Sequence, residues 1–348
     1  MLVRDKIALV TGAASGIGCC IAEELLKNGV KTLISVDIHQ SEPENVTKWR
    51  KEYNEVCIKY MTVDIGVVEH VKRCYQTVAR DVGNLDIVVN CAGISDESNF
   101  KQVIDINLTG TVASTIEAIE VMRKDTGKGN GGIVVNVASI IGLCPVSYVP
   151  TYSATKHGLI AFTRAVAHNR DNLGIKFITI CPGFTATGFG RYGSFFMEKP
   201  EVAMKKCLKL YKNQKPEAIS SGLIKVMTEG KSGSVWEIDG GEWREERRLS
   251  EHRNWNSSLR EHDNSLNETF ELVECHTPLA EDETTDVTTS VVVSVPAVPS
   301  ISGECTSSRV AVTAATVTAD MSQKTRQKVT NLPTLSISGP SPPHEEFL

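Results

Sequence analysis

Tyr152 and Lys156 are the residues of this sequence whose types and spacing most clearly suggest chemistry. They lie in the stretch P-T-Y-S-A-T-K-H-G-L (150–159), and residues four apart share one face of an α-helix. The same face continues through apolar positions such as Leu159 and Val166. A lysine has no packing reason to lie on an apolar stripe, because its charge is costly to bury. We therefore interpret the pair as functional.

The chemistry that this pair predicts is proton transfer. A free tyrosine has a pKa of about 10 and is a poor base at neutral pH. One positive charge about 4 Å away favours the phenolate by about 4 kcal/mol at an effective dielectric constant of about 20, or about three pKa units. Lys156 would supply that charge and make Tyr152 a general base. The alternative, an ordinary exposed pair at i and i+4, is disfavoured by the apolar stripe that follows.

A glycine-rich turn, T-G-A-A-S-G-I-G (11–18), lies between an apolar run and a helical pattern. Gly12 permits a tight turn, Gly16 lets the backbone approach a phosphate, and Gly18 lets the helix pack close to the sheet. The N-terminus of that helix offers free N–H groups and a positive dipole end to an anion. This order of strand, turn and helix predicts dinucleotide binding. The predicted contacts are Gly12, Ser15, Gly16, Ile17 and Gly18.

Asp37 follows the second apolar run, near the spacing of about 20 residues expected for an acid that binds the adenosine ribose hydroxyls. Its carboxylate would repel the 2′-phosphate of NADP, and among its neighbours only His39 could offset that charge. The sequence therefore predicts NAD as the cofactor. The alternative for Asp37 is a simple cap at the end of a strand.

Seven short, nearly continuous apolar runs indicate strands that are buried on both faces. Segments with helical periodicity, such as 17–29, separate them. This alternation predicts an α/β fold of the Rossmann type, with a doubly wound, parallel, seven-stranded sheet and helices on both faces. The predicted strands are 6–12, 32–37, 57–64, 85–90, 132–139, 175–181 and 234–239.

The pattern changes after residue 243, which divides the chain into a catalytic domain (1–243) and a tail (244–348). The tail is rich in Ser and Thr and poor in aromatic residues. Such a composition buries too little apolar area to offset the entropy of ordering, so we predict disorder. The stretch S-V-V-V-S-V-P-A-V (290–298) is the one candidate strand within it. The alternative to a passive tail is a docking or phosphorylation region.

Composition excludes several classes of function. The chain has 348 residues and a net charge of -5, and it shows no basic stripe for nucleic acid. No apolar run approaches the length of about 20 residues that spans a bilayer. The ten cysteines form no CxxC pair and have no His cluster nearby, so no metal site is predicted. We interpret them as reduced thiols of a cytoplasmic protein.

Together these motifs resemble the short-chain dehydrogenase/reductase family, over residues 3 to about 241. The resemblance is carried further by V-D-I (63–65), N-C-A-G (90–93), I-N-L (106–108), N-V-A-S (136–139) and P-G-F-T-A-T (182–187). Cys91 departs from the family's usual Asn. The cofactor contacts that the resemblance implies, besides the glycine turn and Asp37, are Asp64, Ile65, Asn90, Ala92, Gly93, Tyr152, Lys156, Pro182, Gly183, Thr185 and Thr187.

The resemblance also implies four catalytic residues. Tyr152 is the base, with Lys156 beside it. Ser139 would hydrogen-bond the substrate oxygen, and Asn107 would hold a water that links Lys156 to solvent. Taken singly, the motif residues have simpler readings: Ser139 as a strand-end hydroxyl, Asn107 as a polar residue that bonds within its helix, and Thr187 as a helix cap.

Within the family, the stretches 131–146, 152–165 and 180–189 are most similar to NAD-dependent 15-hydroxyprostaglandin dehydrogenases and insect alcohol-dehydrogenase-like members. Val149 stands where the prostaglandin enzymes carry a Gln, which favours a more apolar alcohol. The segment 184–212 is predicted to form an apolar lid over the substrate. The alternative is that its aromatic residues merely pack the segment onto the body of the protein. The predicted substrate contacts are Ser139, Val149, Tyr152, Phe189 and Tyr192.

The expected activity is the oxidation of a secondary alcohol to a ketone, by hydride transfer to NAD. The alcohol is apolar or fatty, with a prostaglandin-like hydroxyl as one option. Two alternatives stay open: an NADP-dependent carbonyl reductase, and an inactive dehydrogenase body that acts as a scaffold through its tail. By analogy with the family, the helices near 97–125 and 150–171 would join a homodimer or homotetramer.

Overall fold

The computed structural model of the chain describes residues 3–189, 194–199, 202, 205 and 212–246. Within these residues, the seven predicted apolar runs form strands of one sheet, and an eighth strand joins them. The eight strands are β1 (Ile7–Thr11), β2 (Thr32–Asp37), β3 (Cys57–Thr62), β4 (Ile87–Asn90), β5 (Gly132–Val137), β6 (Ile175–Pro182), β7 (Val235–Asp239) and β8 (Glu242–Glu245). The predicted tail, apart from residues 244–246, lies outside the described part of the chain.

The strands are ordered β3-β2-β1-β4-β5-β6-β7-β8 across the sheet. All neighbours from β3 through to β7 are parallel. The chain order reverses between β1 and β4, and a doubly wound sheet opens a crevice at the carboxyl ends of its strands at such a point. The glycine turn follows β1 and N-C-A-G begins at the end of β4, so both motifs border this crevice.

The sheet has eight strands where the sequence pattern predicted seven. Gly240 and Gly241 have φ angles of 62° and 81°, a left-handed pair that permits a two-residue hairpin turn. The chain therefore reverses directly after β7, and β8 pairs with it in antiparallel register. The short polar stretch E-W-R-E has no continuous apolar run, because it lies at the edge of the sheet. The domain boundary expected at residue 243 falls within this strand.

Nine α-helical segments are present among the described residues. They are α1 (Gly16–Lys27), α2 (Glu44–Glu52), α3 (Val68–Asp81), α4 (Phe100–Ile104), α5 (Thr111–Met122), α6 (Pro150–Val166), α7 (Arg170–Leu173), α8 (Glu217–Ser221) and α9 (Leu223–Glu229). Helices α1, α2, α8 and α9 supply buried residues to one apolar cluster. Helices α3, α5 and α7 supply buried residues to another. Helices on both faces leave the strand ends as the accessible edge.

The chain from Glu97 to Met122 is helical throughout but changes its hydrogen-bonding pattern twice. A 3₁₀ turn (Glu97–Asn99) leads into α4, and a π-helical turn (Asp105–Gly110) joins α4 to α5. Gly110 lies so close to the carbonyl of Ile65 that a Cβ there would be 2.3 Å from its oxygen. A π-helical turn inside an α-helix often marks a functional site, and this one contains Asn107.

No helix among the described residues is long and apolar enough to cross a membrane.

Candidate active site

Tyr152 and Lys156 lie in the first two turns of α6, as predicted. Both are buried, with 8% and 4% of their surface exposed. The Nζ atom of Lys156 donates a hydrogen bond of 2.9 Å to the carbonyl oxygen of Val137, at the end of β5. The same Nζ lies 5.6 Å from the centre of the Tyr152 ring. The pair thus points into the carboxyl edge of the sheet and away from solvent.

Ser139 meets Tyr152 at this edge. It follows β5 and caps a 3₁₀ turn (Ile140–Gly142), where its Oγ atom accepts a hydrogen bond of 3.2 Å from the Ile141 amide. A further hydrogen bond joins its side chain to that of Tyr152. A serine and a tyrosine hydroxyl therefore face one another beside a buried lysine. A substrate oxygen seated between the two hydroxyls would be held and deprotonated at one place.

Burial favours the neutral form of both side chains and shifts their pKa values accordingly. It raises the pKa of Tyr152 above the ordinary 10.0, and the hydrogen bond with Ser139 lowers it in part. It lowers the pKa of Lys156 from 10.5 to about 8. The direction for Tyr152 is opposite to the one that the Tyr–Lys spacing alone predicted, because desolvation of the phenolate is the largest effect. A further positive charge beside the phenol is needed to make it a base.

Asn107 is fully buried in the π-helical turn. Its Oδ1 atom accepts from the Ile94 amide at 2.8 Å, and its Nδ2 atom donates to the Ile94 carbonyl at 2.8 Å. A Cβ on Gly93 would lie 3.1 Å from Asn107 Oδ1 and 3.5 Å from Lys156 Nζ. Asn107 therefore fixes the loop after β4 next to the lysine. Its expected role in holding a water stays a prediction.

The glycine turn has the geometry that its spacing predicted. Gly12 and Gly16 have φ angles of 69° and 55°. A Cβ on Gly12 would lie 2.8 Å from the Cα of Ala92, and one on Gly18 would lie 2.2 Å from the Gly12 oxygen. Helix α1 begins after Ser15, which makes no side-chain cap hydrogen bond. The first amide groups of α1 thus face the crevice without a capping side chain and are suited to a phosphate.

Asp37, at the end of β2, turns toward this glycine turn. Its Oδ2 atom accepts from the Ala14 amide at 2.9 Å, and its Oδ1 atom accepts from the Ile38 amide at 2.8 Å. His39 Nδ1 lies 2.7 Å from Oδ1. A carboxylate accepts about four hydrogen bonds, so capacity remains for a ribose hydroxyl. These residues therefore fit an adenine dinucleotide.

The remaining predicted cofactor residues line the same edge of the sheet. Asp64 accepts from the Gly66 amide at 2.9 Å, and Ile65 is buried beside it. Gly183 donates its amide to the Ile238 carbonyl at 2.7 Å. Thr187 lies against the glycine turn, with its Cγ2 atom 3.4 Å from the position of a Cβ on Gly16. Pro182 ends β6, and Thr185 forms an isolated bridge with Gln214.

Asn90 has a role that the motif did not indicate. It is 2% exposed, and its Nδ2 atom donates to Asn136 Oδ1 at 2.9 Å and to Thr115 Oγ1 at 3.2 Å. Its Oδ1 atom accepts from Ser114 at 2.6 Å. The side chain is thus engaged on both sides by buried partners in β5 and α5. It holds the sheet and the helix together, and its predicted contact with the cofactor is not supported through this side chain.

Besides Ser139 and Tyr152, three substrate contacts were predicted, and they differ in their placement. Phe189 lies beside Tyr152, with the two ring centres 5.8 Å apart. Val149 is only 3% exposed and packs with Val103 and Tyr148, so its contact with substrate stays a prediction. Tyr192 lies outside the described residues. The walls around Tyr152 are therefore mainly apolar.

Sequence reasoning missed two sets of positioning residues. Thr11 Oγ1 accepts from the amides of Cys91 and Ala92, at 3.1 and 3.2 Å, and so fixes the turn after β4.

Asp96 and Glu97 bind backbone and side-chain groups far along the chain. An acidic pair before a helix suggests a local cap, and only the structure shows these distant partners.

A parallel sheet with a glycine turn at its switch point defines a dinucleotide-binding fold. A family model described as short chain dehydrogenase matches residues 6–193. The 15-hydroxyprostaglandin dehydrogenase [NAD(+)] of Rattus norvegicus is 33% identical over 251 residues, which cover 68% of this chain and 92% of that protein. The Homo sapiens protein of the same name is 32% identical over 248 residues, with 68% and 92% covered. The chain belongs to the short-chain dehydrogenase family of oxidoreductases.

Two solved structures have a similar fold. L-sorbose reductase from Gluconobacter frateurii, complexed with NADPH and L-sorbose, has a TM-score of 0.58 at 22% identity and covers 69% of this chain and 98% of its own. Levodione reductase has a TM-score of 0.58 at 24% identity, with 68% and 97% covered. At these identities the likeness concerns the fold.

The buried charge of Lys156 predicts how stability depends on pH. Below about pH 8 the lysine is protonated in the folded and unfolded chains, and the folded chain bears the cost of burying the charge. Between about pH 8 and 10.5 only the unfolded chain keeps the proton. The free energy of unfolding of the wild type, relative to that of Lys156→Met, should therefore rise across this interval. Urea unfolding of both proteins from pH 7 to pH 10 measures the difference, and a difference that falls or stays constant would contradict the assignment.

Proposed function

We propose that this protein is an NAD-dependent alcohol dehydrogenase that oxidises a secondary alcohol to a ketone, with Tyr152 as the general base. The observation that carries the proposal is the meeting of the Tyr152 and Ser139 hydroxyls beside the buried Nζ atom of Lys156. Removal of a hydride and a proton from one carbon–oxygen unit needs a proton acceptor at the oxygen. These two hydroxyls offer one position for that oxygen.

Each of the four catalytic residues has a defined task in this reaction. Ser139 orients the substrate hydroxyl and stabilises its oxygen as negative charge develops. Tyr152 takes the proton, and Lys156 adds positive charge next to the phenol. Asn107 holds the loop at Gly93 against the lysine. NAD, if held by the glycine turn and Asp37, would supply the hydride acceptor and the further positive charge that a buried tyrosine needs to act as a base.

The preference for NAD is supported by the surroundings of Asp37. The carboxylate has 10% of its side chain exposed, where the adenosine ribose would lie, and it also holds the Ala14 amide of the glycine turn. A 2′-phosphate placed there would meet a like charge. His39 is the nearby group able to weaken that repulsion, but it is paired with the same carboxylate at 2.7 Å. The rat and human relatives carry NAD(+) in their names.

An apolar substrate is supported by the residues around Tyr152. Val103, Tyr148, Val149 and Tyr152 form one buried cluster, and Phe184 and Phe195 pack against it. Phe189 is 48% exposed beside the base, which leaves an aromatic surface for the substrate to cover. A fatty or prostaglandin-like secondary alcohol would bury its chain here, with only its hydroxyl at polar groups.

The assembly and location that accompany this proposal are a homodimer or homotetramer in the cytoplasm. Phe100 is 61% exposed, and Ile104 and Ile116 are 38% and 48% exposed, on the helical run expected to form the interface. The seven cysteines within the described residues are free. The partners expected are the alcohol and its ketone, with neither nucleic acid nor a resident metal.

Replacement of Tyr152 by Phe removes the proton acceptor and keeps the ring. Tyr152→Phe should lower kcat for secondary alcohols by about 10²- to 10⁴-fold, the usual worth of a general base. The dissociation constant for NAD should stay within about twofold, because most of the predicted cofactor contacts lie on other elements. Reduction of NAD followed at the absorbance of NADH, and NAD binding followed by protein fluorescence, measure the two quantities. Near-normal turnover in this variant would overturn the assignment.

The cofactor assignment is tested by comparing kcat/KM for NAD and NADP. A like-charge contact at Asp37 disfavours the 2′-phosphate, so NAD should be preferred by at least about 100-fold, which corresponds to about 2.8 kcal/mol. Asp37→Ser should narrow this ratio, mainly through better use of NADP. A wild-type preference for NADP would favour the alternative, a carbonyl reductase. Absence of turnover with either cofactor would favour a scaffold function.

A further inference from the structure

Glu97 binds the start of the catalytic helix from a distant part of the chain. One carboxylate oxygen accepts a hydrogen bond of 3.1 Å from the Thr151 amide, and the other accepts one of 3.0 Å from the Tyr152 amide. The residue before α6 is Val149, which has no side chain able to cap a helix. Glu97 therefore satisfies amide groups at the N-terminus of α6, and it places a negative charge at the positive end of the helix dipole.

Glu97 and the preceding residue, Asp96, also bind the segment 194–196, which is part of the predicted substrate lid. Asp96 Oδ1 accepts from the amide and the hydroxyl of Ser194, at 3.1 and 2.7 Å. The Glu97 amide donates to the Ser194 carbonyl at 3.2 Å. The bonds from Ser194 and Ser98 lower the pKa of Asp96 to about 2, so its carboxylate stays charged at any working pH. The charge of Asp96 therefore does not change near neutral pH.

Segment 194–196 reaches the catalytic helix by a second route as well. The Phe196 amide donates to the Tyr148 carbonyl at 2.9 Å. The rings of Phe195 and Tyr148 lie edge to face, with centres 6.1 Å apart. Tyr148 is in turn buried against Tyr152 in one apolar cluster. The segment and the base are therefore joined through both the acidic pair and the aromatic pair.

From these contacts we propose that Glu97 is a positioning residue that sets Tyr152 in its catalytic place, and that Asp96 and Glu97 together couple the base to the substrate-side segment 194–196. Glu97 acts through backbone amides and touches neither substrate nor cofactor. Asp96 acts on the segment that would cover the substrate. This inference rests on the proposed dehydrogenase function for its kinetic consequences, but its structural content is independent.

Two substitutions at Glu97 separate positioning from folding. Glu97→Gln keeps one acceptor oxygen and presents an NH₂ group to the second amide, and Glu97→Ala removes both acceptors. A displacement of about 1 Å at a reacting group can cost about 10²-fold in rate. We expect Glu97→Ala to lower kcat by about 10- to 100-fold and Glu97→Gln by less, with the dissociation constant for NAD unchanged. Glu44→Ala, an exposed acid in the first turn of α2, is the matched control and should leave kcat unchanged.

Asp96→Asn and Ser194→Ala form the second arm of the test. These changes loosen segment 194–196 and leave the amides of α6 bound to Glu97. They should raise KM for the alcohol more than they lower kcat, whereas the Glu97 variants should do the reverse. If all four variants changed kcat and KM alike, the division of roles within the acidic pair would be wrong.

The pH profile of kcat distinguishes positioning of Tyr152 from a purely structural role of Glu97, which would leave the profile unchanged. The hydrogen bond with Ser139 lowers the pKa of Tyr152, so a displaced Tyr152 should titrate at higher pH. The limb of the kcat profile that reports the base should therefore shift to higher pH in Glu97→Ala and less in Glu97→Gln. Loss of melting temperature with an unchanged profile and unchanged kcat per folded molecule would show that Glu97 only stabilises the fold.

Hydrogen exchange of the amides measures the contact between Glu97 and α6 without any need for enzyme activity. The amides of Thr151 and Tyr152 should exchange slowly in the wild type and faster in Glu97→Ala, with the rest of α6 little affected. Absence of alcohol oxidation in the wild type would count against the proposed function, and the exchange result would still decide the contact. Unchanged exchange at both amides in Glu97→Ala would overturn the inference.

Discussion

The joint burial of Tyr152 and Lys156 is the constraint on which the rest of the site depends. A protonated lysine and a phenolate are each costly to bury alone, and here both are less than a tenth exposed. The backbone of neighbouring segments packs closely against Lys156. A Cβ on Gly142 would lie 2.8 Å from the carbonyl carbon of Lys156, and Gly93 passes beside its Nζ atom. The small residues leave space for the lysine, and the Val137 carbonyl accepts its hydrogen bond.

The sheet positions this pair by bringing the ends of parallel strands to one edge. Between β4, β5 and the helices above them runs a buried polar chain: Tyr75 bonds to Ser114, Ser114 to Asn90, Asn90 to Asn136, and Asn136 to Thr163. It links α3, α5 and α6 through the sheet. A fully bonded network of this kind has one satisfied arrangement, since each broken bond leaves a buried polar group unpaired. The network therefore holds α6, and with it Tyr152, in place relative to β4 and β5.

Much of the fold could be predicted from the sequence, because its signals are local. Apolar runs indicated the seven parallel strands, and the glycine motif correctly indicated a turn between the first strand and the first helix. The eighth strand was missed because E-W-R-E is polar, and its pairing depends on the φ angles of Gly240 and Gly241. The reach of Glu97 to Tyr152 was missed because the two are brought together only by the fold. The direction of the Tyr152 pKa was missed because spacing shows a neighbouring charge and not the extent of desolvation.

We expect burial to keep Tyr152 neutral until a further positive charge lies beside it. Ultraviolet difference spectroscopy of the phenolate, with Tyr152→Phe as the reference, measures this titration directly in the protein with and without NAD. Tyr152 should ionise above pH 10 in the free protein, consistent with its raised pKa, and its titration should move toward neutral pH when NAD is bound. A Tyr152 phenolate present at pH 8 in the free protein, or a titration that NAD does not move, would show that burial does not control the ionisation of this residue.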